Sequence, residues 1–516
     1  MGLLSGIILA PLLAAAVLLV VPNRSRGAVR LVALLGATTS LLGSIRVAFR
    51  YDLAVGGVQM REELALLPDL GIAWKLGVDG WGVSLLLLTA IIIFAGIWAS
   101  WTMREREKEF FILLLVLVAG VFGVFVSLDL FIFFLFYEIA VLPMYLLIGV
   151  WGSSKPVKKA GPLAKVLASF DLGSRQYAAM KLTLMLMGGS ALILASFLAM
   201  VLHTGVGTWD LEVIQVTAYP PALQKLLFPF LWIGFGTLAG VFPWHTWSPD
   251  GHASAPTAVS MLHAGVLMKL GAFGVIRVAM ICLPEGAAFW AFAVGTVAVI
   301  NIVWGALSAM GQTDLKYVIA YSSVSHMGIV MLGAATLQVD GWNGAIFQMF
   351  AHGVMTGLFF ALVGLVYERA HTREIFEMGG FAARMPAVAV FFTIGGLSSL
   401  GLPGTAGFAA ELLVFLGAWK TVWWWAIPAI AGAIFTAVYV LRATRAIFWG
   451  PPADLPYPDV RDAQRTEWVA PILLTACILL FGIAPDLLLQ YIDPMTLEFL
   501  GPLTDRISVS TAGVTP

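Results

Sequence analysis

Runs of about twenty apolar residues recur fourteen times along the chain, a length that lets a helix cross a bilayer's hydrocarbon core. They lie near 3–21, 29–49, 81–102, 110–127, 130–150, 179–202, 226–247, 254–281, 287–309, 317–336, 342–367, 386–416, 424–448 and 467–490. In lipid every backbone polar group must be satisfied within the protein, so such a chain folds as a bundle of helices. With 60% hydrophobic and 11% charged residues, it has too few charges to cover a soluble surface. The expected fold class is therefore all-α and polytopic, with about 14 transmembrane helices. The first run, MGLLSGIILAPLLAAAVLLVV, has no positive n-region and is followed at once by a second span, so it reads as an uncleaved helix.

Loop charges orient the bundle. The odd-to-even loops and their flanks hold Arg24, Arg26, Arg30, Arg104, Arg106, Lys108, Lys155, Lys158, Lys159, Lys165, Arg175, Lys181, Lys316, Arg369, Arg373, Arg384, Arg442, Arg445, Arg461 and Arg465, out of 29 basic residues. The positive-inside rule makes these loops cytoplasmic and both termini external. The segment 155–174 is lysine-rich and reads either as a solvated loop or as a patch for anionic lipid or another subunit.

Two spans carry breakers. The seventh contains Pro243 and runs into Pro249 and Pro256, and the twelfth contains Pro403 within GGLSSLGLPGTAGF. Proline removes a backbone donor, and the freed groups must then face protein or water. The breaks lie five spans apart, as two five-helix units of opposite membrane sense would place them. The expected organisation is an N-terminal trio of helices at 1–109, a first unit at 110–281, a second at 282–450, and a C-terminal loop, helix and tail at 451–516.

Inside these apolar runs stand a few ionisable residues: Glu138, Lys269, His326, His352 and Glu411. A charge at the bilayer centre costs at least about 2.5–3.5 kcal/mol on insertion scales. Burial disfavours the charged form of an acid and of a base alike, which makes both usable as proton carriers. The structural alternative for each is a neutral group hydrogen-bonded to a neighbouring helix. Ser322, Ser323 and Ser325 surround His326 with groups that hold water. His245, His252 and His263 follow the seventh-span break at a spacing that fits no common metal site. Trp423, Trp424 and Trp425 read as an interfacial aromatic belt.

Other chemistries find no motif. Cys282 and Cys477 stand alone, and there is no CxxC, HExxH or strand-borne GxGxxG, so no cofactor or metal is expected on this chain.

Several segments together resemble a known family. FFLFYEIAVLPMYLLIGVWG, FPWHTWSPDGHASAPTAVSMLHAGVLMKLGAFGVIR, TDLKYVIAYSSVSHMGIV, QMFAHGVMTGLFF and SLGLPGTAGFAAELLVFLG are similar to the M-type antiporter-like subunit of respiratory complex I, the NADH:quinone oxidoreductase. GVDGWGVSLLLLTA agrees, and the match runs from about residue 70 to 450. The acid on the broken twelfth helix, here Glu411, separates M-type from L- and N-type subunits. The resemblance implies fourteen helices with two inverted five-helix units. It makes Glu138, Lys269, His326, His352 and Glu411 the proton-transfer residues, with His245 and His263 as accessory groups. It implies L- and N-type neighbours in the bilayer, no nucleic acid, and NADH, flavin and iron–sulfur sites on partner subunits. It also implies a bacterial plasma membrane.

One position departs from the family. Where the family has a seventh-span lysine, seven residues before the histidine at 245, this chain has Leu238. In the family that lysine pairs with the fifth-span glutamate, so Glu138 lacks its usual cation. His263 is no simple substitute, since six residues is about 9 Å along a helix and on another face from Lys269. The expected route runs from the cytoplasm near the seventh-span break, along Lys269, His326 and His352, and out through Glu411. The alternatives are a subunit of a cation/proton antiporter, a subunit of a membrane-bound hydrogenase, and a spacer that pumps nothing because of Leu238.

Overall fold

The computed structural model describes residues 2–154, 171–452 and 460–512, with side chains to residue 501. Most of the lysine-rich segment, including Lys155, Lys158, Lys159 and Lys165, lies outside the described residues.

Eleven long helices cross the bundle before the last broken region. They are α1 (Leu3–Val20), α2 (Arg26–Arg50), α3 (Gly80–Ala99), α4 (Glu107–Val126), α5 (Leu130–Trp151), α6 (Arg175–His203), α7 (Pro221–Ser254), α8 (Thr257–Met280), α9 (Pro284–Met310), α10 (Leu315–Ala335) and α11 (Val339–Ala370). Then come α12, in two halves Pro386–Ser399 and Ala406–Thr421, α13 (Trp423–Trp449), α14 (Val469–Ile483) and α15 (Asp486–Ala512). Local chemistry sets several starts. Asp79, Asp129, Ser174 and Asp314 each precede a helix, and their side chains accept from its first free amides, the orphan donors of any helix start.

Both expected breaks occur. The first half of α7 ends at Ala239, where Gly240 takes a left-handed φ of +74° and leads into Pro243. The chain turns through Trp244–Thr246 and resumes as Trp247–Ser254. In α12 the halves are separated by residues 400–405, with Gly401 and Gly404 at positive φ around Pro403. The last expected span, 467–490, is not one straight helix. Pro485 follows α14, and the chain re-enters helix at an angle of 66°, because proline disfavours helical geometry in the residue before it. By length and composition the described residues give twelve membrane-long apolar helices, or thirteen with that bent pair.

One element has no counterpart in the apolar pattern. Between α2 and α3 an antiparallel hairpin pairs β1 (Gln59–Leu67) with β2 (Ile72–Val78). Glu62 of β1 accepts from the amides of Gly2, Leu4 and Ser5 (3.1, 2.7 and 3.2 Å) and so caps α1 from outside it. Lys75 of β2 pairs with Asp210 (2.6 Å) and Glu212 (2.8 Å), the N-cap and a first-turn residue of the short helix Leu211–Val216 that follows α6.

Burial grades across the bundle and positions the site. Within their apolar windows α8 is wholly buried and α10 and α11 nearly so, whereas α1, α2, α6 and α13 keep broad exposed faces. The three central helices carry Lys269, His326 and His352.

Candidate functional site: a buried Lys–His–His–Glu axis

The side chain of Lys269 rises from α8 inside the core, fully buried. The preceding turn, His263–Leu267, is a π-helix, and a second π-turn spans Val275–Met280. Such bulges add a residue to the turn and recur at functional sites. Here the Lys269 ammonium group donates to the carbonyl of Ala264, five residues earlier. Its Nζ also lies 2.6 Å from Nδ1 of His352 on α11. The His352 ring faces that of His326 on α10, with centroids 5.2 Å apart. His326 Nε2 lies 3.6 Å from Oε1 of Glu411, in the second half of α12, and 3.2 Å from the carbonyl of Ser399 at that helix's break. Gln348, one turn before His352 on α11, hydrogen-bonds Glu411 through its side chain.

The four groups thus form one line across three central helices and the broken twelfth. The order differs from the expected one: His352, not His326, is the neighbour of Lys269. Helix numbering suggested α8 to α10 to α11, but α11 packs directly beside the first turns of α8, including its π-turn at His263–Leu267. An imidazole in that place has the geometry to accept at Nδ1 and release from Nε2, which can pass a proton without translating the ring. His352 Nε2 has no protein partner and is free to do so. His326 Nδ1 lies 2.8 Å from the Ser322 carbonyl, which leaves Nε2 as the nitrogen facing Glu411. Ser322 in turn accepts from the Tyr439 hydroxyl at 2.8 Å.

Glu138 does not join this line. It is half-buried on α5 near the Ser190 side chain of α6, whose hydroxyl donates to the Met187 carbonyl, and its Oε1 has no partner among the described residues. Leu238 is fully buried in the last turn before the α7 break. On the neighbouring helices Phe133, Tyr137, Phe197 and Phe235 pack edge to face, a largely apolar wall whose one polar atom, the Tyr137 hydroxyl, has no partner.

The accessory histidines separate as well. His263 stacks on His252 with ring centroids 3.9 Å apart, and all four ring nitrogens lack a partner. Both are buried near Lys269. His245 instead stacks on Phe242 at the α7 break and touches none of the axis residues. No cluster of three or more metal-ligating side chains occurs among the described residues.

Lys316 differs from its expected place among solvated loop charges. It is buried and donates to the Ala255 carbonyl at 2.7 Å. Near it, Asp250 accepts from Lys181 (2.7 Å) and Tyr317 (3.0 Å), and Arg373 pairs with Asp314. At the opposite end of α8, Arg277 pairs with Asp79 and lies over the Phe499 ring of α15. Sequence reasoning missed Gln348, although its i, i+4 spacing to His352 marks one helix face. It also missed the Asp79–Arg277 pair, whose members are 198 residues apart.

Comparison with known proteins places this geometry. The family described as NADH:quinone oxidoreductase/Mrp antiporter, TM, matches residues 166–436. A protein named NAD(P)H-quinone oxidoreductase chain 4 1, from Picosynechococcus sp., is 38% identical and covers 95% of this chain and 90% of its own length. A chain 4 2 protein from Microcystis aeruginosa is 37% identical over 92% of this chain and 84% of its own. Among solved structures, a chain of respiratory complex I from Thermus thermophilus with bound NADH superposes with a TM-score of 0.86 at 29% identity, covering 97% of this chain and 99% of that one. A chain of the Mrp complex from Dietzia sp. superposes at 0.83 with 20% identity, covering 98% and 99%, and so shares the fold.

Proposed function

Because the chain belongs to the NADH:quinone oxidoreductase/Mrp antiporter family, and within it to the chain 4, M-type subunits, we propose that its Lys269–His352–His326–Glu411 line is the proton path of the complex. The protein is a proton-translocating membrane subunit of an NADH:quinone oxidoreductase and works beside the complex's other membrane subunits. The chemistry of NADH oxidation belongs to partner subunits, and this chain contributes no cofactor of its own. It resides in a bacterial plasma membrane with both termini outside, as the basic loops direct.

The observation that carries the reading is the contact at 2.6 Å between Lys269 and His352, deep in an apolar core. A buried lysine beside an imidazole that leads to a second imidazole and an acid has the parts of a relay. Each group is close enough to the next for direct or single-water transfer. Charge on one member alters the proton affinity of its neighbour, so an electrostatic change arriving at one end is passed along the line. Protons enter from the cytoplasmic side past Asp250, Lys316 and the stacked His252 and His263, and leave beyond Glu411. Continuity of the line favours a pumping subunit over a spacer, even with Leu238 in place of a lysine.

The test is NADH-driven acidification of proteoliposomes carrying the complex, in sodium-free buffer. The reading expects proton uptake to persist without sodium and to fall with Lys269→Leu while assembly is normal. Uptake that required sodium would transfer the chain to cation exchange.

A further inference from the structure

Asn301 of α9 is fully buried and stands outside the relay, yet it bonds both to the α7 break and to the turn of α10 that carries His326. Its Oδ1 accepts from the backbone amide of Phe242 at 2.9 Å, and its Nδ2 donates to the Val324 carbonyl at 2.9 Å. Phe242 lies in the break, between Gly240 and Pro243. Val324 lies two residues before His326. Only one orientation of the amide serves both partners, because its oxygen only accepts and its nitrogen only donates.

Both ends of this bridge are seated by packing. The Phe242 ring meets Trp304, three residues further along α9, so one helix holds both its ring and its amide. On the other side Ser325 donates to the Ile302 carbonyl at 2.8 Å. The α9 and α10 backbones touch there: a Cβ at Gly305 would come within 2.6 Å of the Ser325 nitrogen, and one at Gly328 within 2.8 Å of the Ile302 nitrogen. Interiors packed this closely transmit a displacement rather than absorb it. The contact at the end of the His326 turn is sensitive to such a displacement. His326 Nε2 stands 3.6 Å from Glu411 Oε1, about 0.8 Å beyond a charge-assisted hydrogen bond. A shift of under an ångström decides whether that bond exists.

We infer that Asn301 is a positioning residue that ties the α7 break to the His326 turn, so that movement at the entry-side break makes or breaks the His326–Glu411 contact. Entry at one end and the last transfer at the other are thereby kept in step. Hydrogen bonds between elements that are rigid on either side are the physical means of such coupling. The inference rests on the reading of the Lys269–His352–His326–Glu411 line as the proton path.

The experiment compares Asn301→Leu, Asn301→Gln and Lys269→Leu in the intact complex, as protons translocated per NADH oxidised in proteoliposomes at equal subunit content. Leucine fills the space of asparagine without either bond, whereas glutamine keeps the amide. A misplacement of about 1 Å slows a transfer about 100-fold, so Asn301→Leu should lose as much of the yield as Lys269→Leu, and Asn301→Gln should retain more. A full yield with Asn301→Leu, or an equal loss with leucine and glutamine, would overturn the inference. Should neither Asn301 variant assemble, deuterium exchange of the unaltered complex under NADH turnover decides: residues 240–242 and 322–328 should change together, and a change in one segment alone, or in neither, would overturn it. If Lys269→Leu keeps the full yield, the proton-path reading itself has failed, whatever Asn301 does.

Discussion

Replacing His352 by leucine removes the one side chain that joins Lys269 to the rest of the line. Leucine fills similar space and leaves the α11 backbone unchanged, including the carbonyl that accepts from Thr356. The 2.6 Å contact and the 5.2 Å ring spacing then merge into one gap. That gap is roughly 7 Å, wider than the about 5.6 Å that two hydrogen bonds through a single water span. Two or more waters would have to order in an apolar core, against a leucine that offers no acceptor. A positioned acid or base contributes about 10²–10⁴-fold to a proton transfer. The step through this chain should therefore slow by at least about 100-fold, or roughly 2.7 kcal/mol of barrier. The assay is protons translocated per NADH oxidised in proteoliposomes, with assembly checked by subunit content. His352→Gln retains an acceptor near Lys269 and should lose less. A His352→Leu complex that assembles normally and keeps the full ratio would refute a relay through this residue.

Three further outcomes test the frame that holds the line. Arg277→Ala strands Asp79 as an unpaired buried charge and should cost about 3–5 kcal/mol; thermal unfolding in detergent unchanged within about 1 kcal/mol would argue against it. Glu62→Ala removes the carboxylate that caps α1 and should cost about 1–2 kcal/mol, seen as faster deuterium exchange over residues 2–9 and nowhere in α8. Burial by itself would disfavour a charged Glu212, but hydrogen bonds from Arg61 and Lys75 outweigh it and hold this carboxyl below the ordinary carboxylate range. Its contribution is then present above about pH 4.3, the unfolded value, and is lost as pH falls below that. Exchange protection of the β1–β2 hairpin should hold from pH 7 to 5 and decay only below about pH 4; loosening that begins near pH 6 would contradict the pairing.

The sequence made the spans legible because bilayer thickness sets one length for every crossing helix. The breaks were legible too, since proline and glycine in an apolar run leave backbone groups that only protein or water can satisfy. Lys269 and Glu411 announced themselves by the cost of burying charge. What stayed hidden depends on long-range contact. His352 precedes His326 along the line because α11 lies against α8, and no local signal orders two histidines on consecutive helices. Lys316 looked like a loop charge because it sits one residue into α10; only the α7–α8 corner that folds over it shows its burial. The β1–β2 hairpin lies in a segment of mixed charge whose first strand is mostly exposed and whose strands are far shorter than a membrane span, so an apolar-run search passes over it. The bend at Pro485 was readable in principle, but the flanking apolar residues masked it.

The most direct measurement is the proton yield per electron pair of the intact complex with Glu411→Gln, compared at equal assembly and equal NADH:quinone activity per assembled complex. Glutamine keeps the size and the bond to Gln348 but carries no exchangeable acid proton. A relay ending at Glu411 predicts a clear fall in the ratio, as one subunit's share of pumping is lost. A ratio equal to that of the unaltered complex would contradict it and leave Lys269, His352 and His326 as buried structural groups.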